Sequence, residues 1–170
     1  MEESKMGFSP QAQNQLETTY RRYADMLYRI ALSHTGKRED AEDAVHDVFI
    51  KLLEKAPIFA DETHREAWLI RVTINRSLDI VRQRGRRSFA PLEESGDKPD
   101  EPEDDANAVL AAVDRLPPKY KSVILLHCLE GKTVEKTALA LGLSVSAVKM
   151  RLVRGREMLK KSIESEGRAL

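Results

Sequence analysis

The 170-residue sequence has few of the features that mark secreted or membrane proteins. Its single cysteine, Cys128, excludes an internal disulfide and fits a reducing compartment. No apolar run approaches the ~18–20 residues that a membrane-spanning helix needs. The N-terminal stretch MEESKMGFSPQ also lacks the apolar segment of a signal peptide. The sequence therefore predicts a soluble protein of the cytoplasm.

Aromatic and strand-favouring residues are also scarce. Only 5% of the residues are aromatic, whereas Ala, Leu, Glu, Lys and Arg, which favour helices, dominate the composition. The hydrophobic fraction of 41% is large enough to form a core. We therefore predict an all-α protein.

The formal net charge is zero, but the charge is distributed unevenly along the chain. Residues 1–87 carry a net +1, residues 88–105 a net −7 and residues 106–170 a net +6. The stretch 88–107 contains three prolines and eight acids, which favours a flexible, self-repelling linker. The sequence thus predicts two small helical domains, 1–87 and 108–170, joined by an acidic linker over 88–107.

Capping residues, glycines and prolines predict seven helices. Ser9 and Pro10 begin the first, a capping box at Thr63 opens the third, and Gly85 ends it. The predicted spans are 10–35, 39–56, 63–84, 104–115, 118–131, 133–141 and 144–165.

The last two predicted helices resemble a helix-turn-helix. Gly142 suits a tight turn, and Val145, Val148 and Leu152 share one face of the second helix. In such motifs the second helix enters the major groove of DNA, and flanking cations contact phosphates. The alternative is a helical hairpin whose basic face is only solvated. The residues predicted to face DNA are Ser146, Lys149, Met150, Arg151, Val153, Arg154 and Arg156.

The N-terminal domain has two further charged surfaces. The predicted helix 39–56 groups acidic residues opposite its apolar stripe, with an Ile beside them, which is typical of a protein-docking face. The predicted helix after Thr63 contains many arginines and few acids, which indicates nucleic-acid binding. Helix-dipole complementarity for the acids and a solvated face for the arginines are the alternatives.

The three segments together resemble an RNA polymerase sigma factor of the extracytoplasmic-function group, within the sigma-70 superfamily. DAEDAVHDVFIKLLE resembles the segment that docks on the clamp helices of the polymerase. AWLIRVTINRSLDIVRQRGRR resembles the helix that handles the promoter −10 element. LPPKYKSVILLHCLEGKTVEKTALALGLSVSAVKMRLVRGREML resembles the domain that reads the −35 element. The resemblance covers roughly residues 15–165.

This resemblance implies roles for individual residues. The polymerase-binding set is Asp40, Asp43, His46, Asp47 and Ile50. The loop 57–67 is implied to hold an extruded base. The residues implied to contact the −10 element are Phe59, Trp68, Arg71, Asn75, Arg82, Arg84, Arg86 and Arg87. The family also implies core RNA polymerase, promoter DNA and an anti-sigma factor, often membrane-anchored, as partners.

The sequence differs from the family pattern at three positions. Thr137 stands in a core slot that the family fills with apolar residues, and Met150 replaces a small residue on the reading face. Gly155, where Ala is frequent, is expected to soften the last helix by ~1 kcal/mol.

Other functions remain open at this stage. One is a DNA-binding regulator that does not recruit polymerase, and another is a helical adaptor that binds only proteins. Catalysis is not expected, because the histidines are scattered and Cys128 is expected to be a small buried residue. No phosphate-binding loop or metal-ligand spacing is present, so we expect no cofactor and no metal.

Overall fold

The computed structural model describes residues 9–87 and 105–168. Most of the predicted linker, 88–107, therefore lies outside the described residues. The described residues form helices without any strand, which confirms the all-α prediction. The helices are α1 (Pro10–Thr35), α2 (Arg38–Lys55), α3 (Glu62–Arg87), α4 (Asp105–Asp114), α5 (Pro118–Ile124), α6 (Val134–Leu141) and α7 (Val145–Arg168), with a π-helical turn over Leu125–Leu129.

The bounds of α1 follow its capping residues. The Ser9 hydroxyl accepts a hydrogen bond from the Ala12 N–H at 3.2 Å, and Pro10 occupies the first turn. Gly36 ends the helix in the left-handed conformation, with a φ of 70°. The predicted first helix is confirmed.

The predicted bounds of α3 are wrong at both ends. Asp61, rather than Thr63, caps the helix, since its carboxylate accepts a hydrogen bond from the His64 N–H at 2.9 Å. The imidazole of His64 also bonds this carboxylate and lowers the pKa of Asp61. At the other end the helix continues through Gly85 to Arg87. A helical glycine costs only ~1 kcal/mol, and Arg84 ties this last part of α3 to α1 and α2.

The predicted helix 118–131 divides into α5 and a π-helical turn. Two consecutive leucines of this turn pack in different cores: Leu125 in the C-terminal core and Leu126 in the N-terminal one. Cys128, in the same turn, is exposed, so the prediction of a buried cysteine is wrong.

The two cores position the functional surfaces. In the N-terminal core, α1, α2 and α3 bury their apolar faces around Leu27, Val48 and Leu69. In the C-terminal core, α5 and α7 bury Ile124 and Val148. The outer faces of α2, α3 and α7 are left to carry charge. None of the helices in the described ranges is long and apolar enough to span a membrane.

Candidate promoter and polymerase interfaces

The turn between α6 and α7 has helix-turn-helix geometry. The Thr133 hydroxyl caps α6 by accepting from the Lys136 N–H at 3.1 Å, and the Ser144 hydroxyl accepts from the Ala147 N–H at 3.1 Å. Gly142 takes a φ of 65°, and Ala138 is buried at the crossing of the helices. The predicted motif is confirmed.

The predicted DNA-facing side of α7 is open to solvent. Met150 and Val153 are 56% and 55% exposed, and Lys149 and Arg154 are exposed beside them. The Arg154 guanidinium lowers the pKa of the Tyr120 phenol. Of the remaining predicted residues, Ser146 is exposed, Arg151 is half-buried, and Arg156 is exposed with its guanidinium 3.8 Å from the Cys128 sulfur.

Gly155 has a packing role that its sequence context did not reveal. It is buried where α7 crosses α5, and a Cβ added there would lie 3.1 Å from Cγ1 of Ile124 and 3.2 Å from its Cδ1. The glycine therefore permits a close approach that holds the reading helix against the core. The expectation that it only softens the helix is incomplete, because wheel analysis does not show which helix lies opposite.

The predicted polymerase-binding face of α2 is only partly free. Asp43, His46 and Ile50 are exposed. Asp40 pairs with Arg84 at 2.6 Å, and Asp47 pairs with Arg76 at 2.6 Å. These last two acids therefore neutralise arginines of α3 in this structure.

The arginines predicted for the −10 element fall into two groups. Arg71 donates to the carbonyls of Leu139 and Ala140 in α6, and Arg84 donates to Asp40 and to the carbonyl of Thr35. Arg82 and Arg86 are exposed, as is Asn75. Arg87 lies in the last turn of α3, and its side chain is outside the described residues.

Phe59 and Trp68 lie together beside a cavity at the start of α3. Their rings pack edge to face, with centroids 5.8 Å apart, and the Arg65 guanidinium carbon lies 5.4 Å from the centre of the Phe59 ring. The cavity has a volume of about 310 Å³ and runs between α1, the end of α2 and the loop that contains Phe59. Residues of α1, including Gln15 and Thr19, line its far side and were not predicted. No local signal relates them to Phe59, because about 40 residues of chain separate them.

Arg65 is a second residue that the sequence did not single out. One of its terminal nitrogens donates to the Thr19 hydroxyl at 3.3 Å, while its buried Nε lies 3.8 Å from the Glu62 carboxylate without forming a hydrogen bond. The side chain of Arg65 thus brings a positive charge to the wall of the cavity.

Known proteins match both parts of the chain. The family model for Sigma-70 region 2 matches residues 19–87, and that for Sigma-70 region 4 matches residues 106–159. The ECF RNA polymerase sigma factor SigM of Mycobacterium tuberculosis is 30% identical over 142 residues, with 82% of this chain and 72% of that protein covered. The chain belongs to the ECF RNA polymerase sigma factors.

Other sigma factors give the same result. The ECF sigma factor SigE of Mycolicibacterium smegmatis is 34% identical over 152 residues, which cover 82% of this chain but only 58% of that protein. Among solved structures, CnrH in complex with the cytosolic domain of CnrY has a TM-score of 0.68 at 25% identity, with 90% of each chain covered. The sigma factor RpoE with the anti-sigma factor NepR, from Bartonella quintana, has a TM-score of 0.71 at 22% identity, with 88% of this chain and 97% of that chain covered.

In this sigma factor the two family regions correspond to two groups of helices. Region 2 comprises α2, α3 and most of α1, and region 4 comprises α4 to α6 and most of α7. The open basic face lies in region 4 and the acidic face in region 2, while the cavity is lined by region 2 and by the part of α1 that precedes it.

Proposed function

We propose that this chain binds core RNA polymerase and directs promoter-specific initiation, with region 4 reading the −35 element and region 2 handling the −10 element. The observation that carries the proposal is the exposed face of α7. This face lies on the second helix of the helix-turn-helix. It combines Lys149 and Arg154 with two exposed apolar side chains, Met150 and Val153. Cations suit phosphates and base edges, and apolar side chains suit a thymine methyl.

The polymerase-binding surface is proposed to centre on Asp43, His46 and Ile50. These residues are exposed on one face of α2, whereas Asp40 and Asp47 are ion-paired to α3. The two paired acids hold α2 against α3 and so position the docking face rather than provide its free charge. An exposed Ile beside a free carboxylate suits a basic, partly apolar partner helix.

The cavity beside Phe59 is proposed to receive a base that leaves the non-template strand. The Phe59 ring in its wall can stack on the base, and the Arg65 guanidinium beside that ring adds a positive charge. Asn75, exposed on α3, offers both a donor and an acceptor to a neighbouring base edge.

The remaining expectations are proposals of the same kind. Two similar solved structures are complexes, one of them with an anti-sigma factor, and we propose that an anti-sigma factor binds this chain too. We propose action in the cytoplasm, where polymerase and DNA are, and we assign no catalytic role. The domain bounds 1–87 and 108–170, with a linker between them, complete the proposal.

Run-off transcription on a fragmented bacterial genome tests this function. Purified core polymerase is assayed with and without the chain, and the RNA 5′ ends are sequenced. We expect new start sites that share elements near −10 and −35. Clean duplex binding without new starts would favour a regulator that does not recruit polymerase. The absence of any salt-dependent DNA affinity would favour a protein adaptor.

A further inference from the structure

The exposed face of α7 has an apolar middle and cations on both sides. At ~100° per residue, Ser146, Met150 and Val153 fall in the middle of this face, and Lys149 and Arg154 fall on its two sides. We call the three middle residues the reading centre. Its two apolar side chains are each more than half exposed. These three described residues include neither a charge nor a side-chain amide.

Packing on the other side of α7 fixes the direction of this face. Val148 and Leu152 are buried in the C-terminal core, and Gly155 allows α7 to approach Ile124 of α5 closely. The reading centre lies on the opposite side of the helix and belongs to neither core of the described residues. Apolar side chains between two cations suit a ligand with negative edges. The major groove of DNA has this form, since phosphates line both sides of the exposed base edges.

The chemistry of the major groove limits what the reading centre selects. Guanine is read by Arg or Lys, adenine by Asn or Gln, and cytosine by Glu or Asp, in each case through hydrogen bonds. Thymine also offers apolar side chains a methyl group on its C5 atom. The reading centre supplies two apolar side chains and one hydroxyl, which both donates and accepts and so distinguishes bases poorly. The C5 methyl group is therefore the feature that this centre is built to detect.

We propose that Met150 and Val153 select the C5 methyl group of pyrimidines in the −35 element, whichever pyrimidine carries it. The inference rests on the part of the proposed function in which α7 enters the major groove of that element. 5-Methylcytosine carries its methyl group on the same atom as thymine. The Ser146 hydroxyl can accept from the N4 amino group of cytosine or donate to the O4 oxygen of thymine. Methylation of a cytosine that meets the reading centre therefore strengthens binding and raises initiation from that promoter.

Duplex DNA selected by the protein itself supplies the probe. The chain, alone and with core polymerase, enriches duplexes from a random-sequence pool, and the most enriched duplex is resynthesised. Each of its thymines is replaced in turn by deoxyuridine, which lacks only the C5 methyl group, by cytosine and by 5-methylcytosine. The last two are paired with guanine. Fluorescence anisotropy measures the affinity of each duplex for the chain, alone and with core polymerase.

Deoxyuridine is expected to weaken binding about fourfold at the thymines that meet the reading centre, which is the effect of one buried methyl group. At the same positions 5-methylcytosine should bind about fourfold more tightly than cytosine, for the same reason. Met150→Ser and Val153→Ser should each remove the sensitivity to deoxyuridine at one position. Met158→Ser and Val109→Ser make the same changes at exposed positions outside this face, and both should keep the sensitivity.

Three results would overturn the inference. The first is a chain that enriches no duplex, or one whose enriched duplex contains no thymine sensitive to deoxyuridine. The second is a sensitivity that persists in both Met150→Ser and Val153→Ser. The third is equal binding of cytosine and 5-methylcytosine at a sensitive position.

Run-off transcription from templates that carry the enriched duplex separates this failure from failure of the proposed function. If only the inference fails, the unchanged chain still initiates with core polymerase, and equally well from thymine and deoxyuridine templates. If only the proposed function fails, methyl-dependent duplex binding remains but no start sites arise.

Discussion

The two regions of this sigma factor use their charged residues in different ways. In region 2, Asp40, Asp47, Arg76 and Arg84 pair with one another between α2 and α3, and Arg71 is bound to α6. In region 4, Lys149 and Arg154 project from α7 into solvent beside exposed apolar side chains. The charges that sequence patterns assign to partners are therefore largely used within the fold in region 2 and largely free in region 4.

This difference shows that a charged face on a helical wheel can serve either purpose. A half-buried ion pair such as Arg84–Asp40 orients the helices that carry a binding surface. An exposed cation contributes little to stability and remains available to a ligand. Substitutions at the two kinds of site should consequently separate stability from binding.

The largest expected effect concerns the free part of the acidic face. Asp43→Arg combined with Ile50→Arg should abolish binding to core polymerase without lowering the melting temperature, since both residues are exposed. Asp47→Arg should instead lower the melting temperature, because it places a cation beside Arg76. Fluorescence anisotropy measures binding to core polymerase, and thermal melts measure the melting temperature. Glu164→Arg, which also replaces an acidic residue by arginine, is the control. Unchanged core binding in the double variant would contradict the proposed docking surface.

The next effect is a pH dependence that arises where the regions meet. Burial and the nearby Lys121 cation lower the pKa of His34 from 6.5 to about 4. The unfolded chain therefore takes up a proton between pH 6.5 and 4 while the folded chain does not, so the free energy of unfolding falls as the pH drops through this window. The loss is expected to be about 3 kcal/mol.

Denaturant titrations of the chain and of His34→Gln across this window measure the loss. The Gln side chain can keep a hydrogen bond to Ser122, which lies 3.3 Å from Nε2 of His34, but it cannot titrate. The free energy of unfolding of the unchanged chain, relative to that of His34→Gln, should rise steadily from pH 4 to 6.5. Parallel curves would mean that His34 is not buried as a neutral group.

Replacing two helical glycines, one in each region, should change the stability of the chain by a smaller amount and so compares the packing of the two regions. A Cβ at Gly85 in region 2 would meet nothing within 4 Å, whereas one at Gly155 in region 4 would meet Ile124 at 3.1 Å. Gly85→Ala should stabilise the chain by about 0.5–1 kcal/mol through helix propensity. Gly155→Ala gains the same propensity but crowds the core, and should be about 1 kcal/mol less stable than Gly85→Ala. Equal shifts in urea denaturation would show that α5 and α7 do not approach closely.

The smallest effect concerns Thr137 in region 4. Its side chain is fully buried, and its hydroxyl has no hydrogen-bond partner among the described residues. Thr137→Val keeps the shape of the side chain and removes the unpaired group, so it should stabilise the chain by about 1 kcal/mol. Thr133→Val is the contrasting variant, since that hydroxyl caps α6 and its loss should destabilise the chain. Loss of stability in Thr137→Val would indicate that the hydroxyl is paired.

Much of the fold could be predicted because its signals are local. Ser9, Pro10 and Gly36 define α1 through backbone capping, and the apolar spacing of Val145, Val148 and Leu152 defines the buried side of α7. The misplaced start of α3 is also local, since Asp61 competes with Thr63 for the cap.

The rest depended on contacts between distant parts of the chain. Asp47 pairs with Arg76, and Arg71 donates to a carbonyl of α6. Residues of α1 line the cavity beside Phe59. Each of these contacts joins residues that are far apart in sequence. A helical wheel shows which side a residue occupies but not which helix lies opposite. Among the described residues, the face predicted on α7 is exposed, whereas part of the sets predicted on α2 and α3 bonds to neighbouring helices. The roles of all these residues stay predictions.

The most direct test of the proposed −35 face is a coupling measurement. Run-off transcription from a mapped promoter, intact or with its −35 element scrambled, is compared for the unchanged chain and for Arg154→Ala, with Lys161→Ala as the control. We expect Arg154→Ala to reduce transcription from the intact promoter at least tenfold and to leave the scrambled promoter unaffected. An equal reduction on both promoters would contradict the reading of the −35 element by α7.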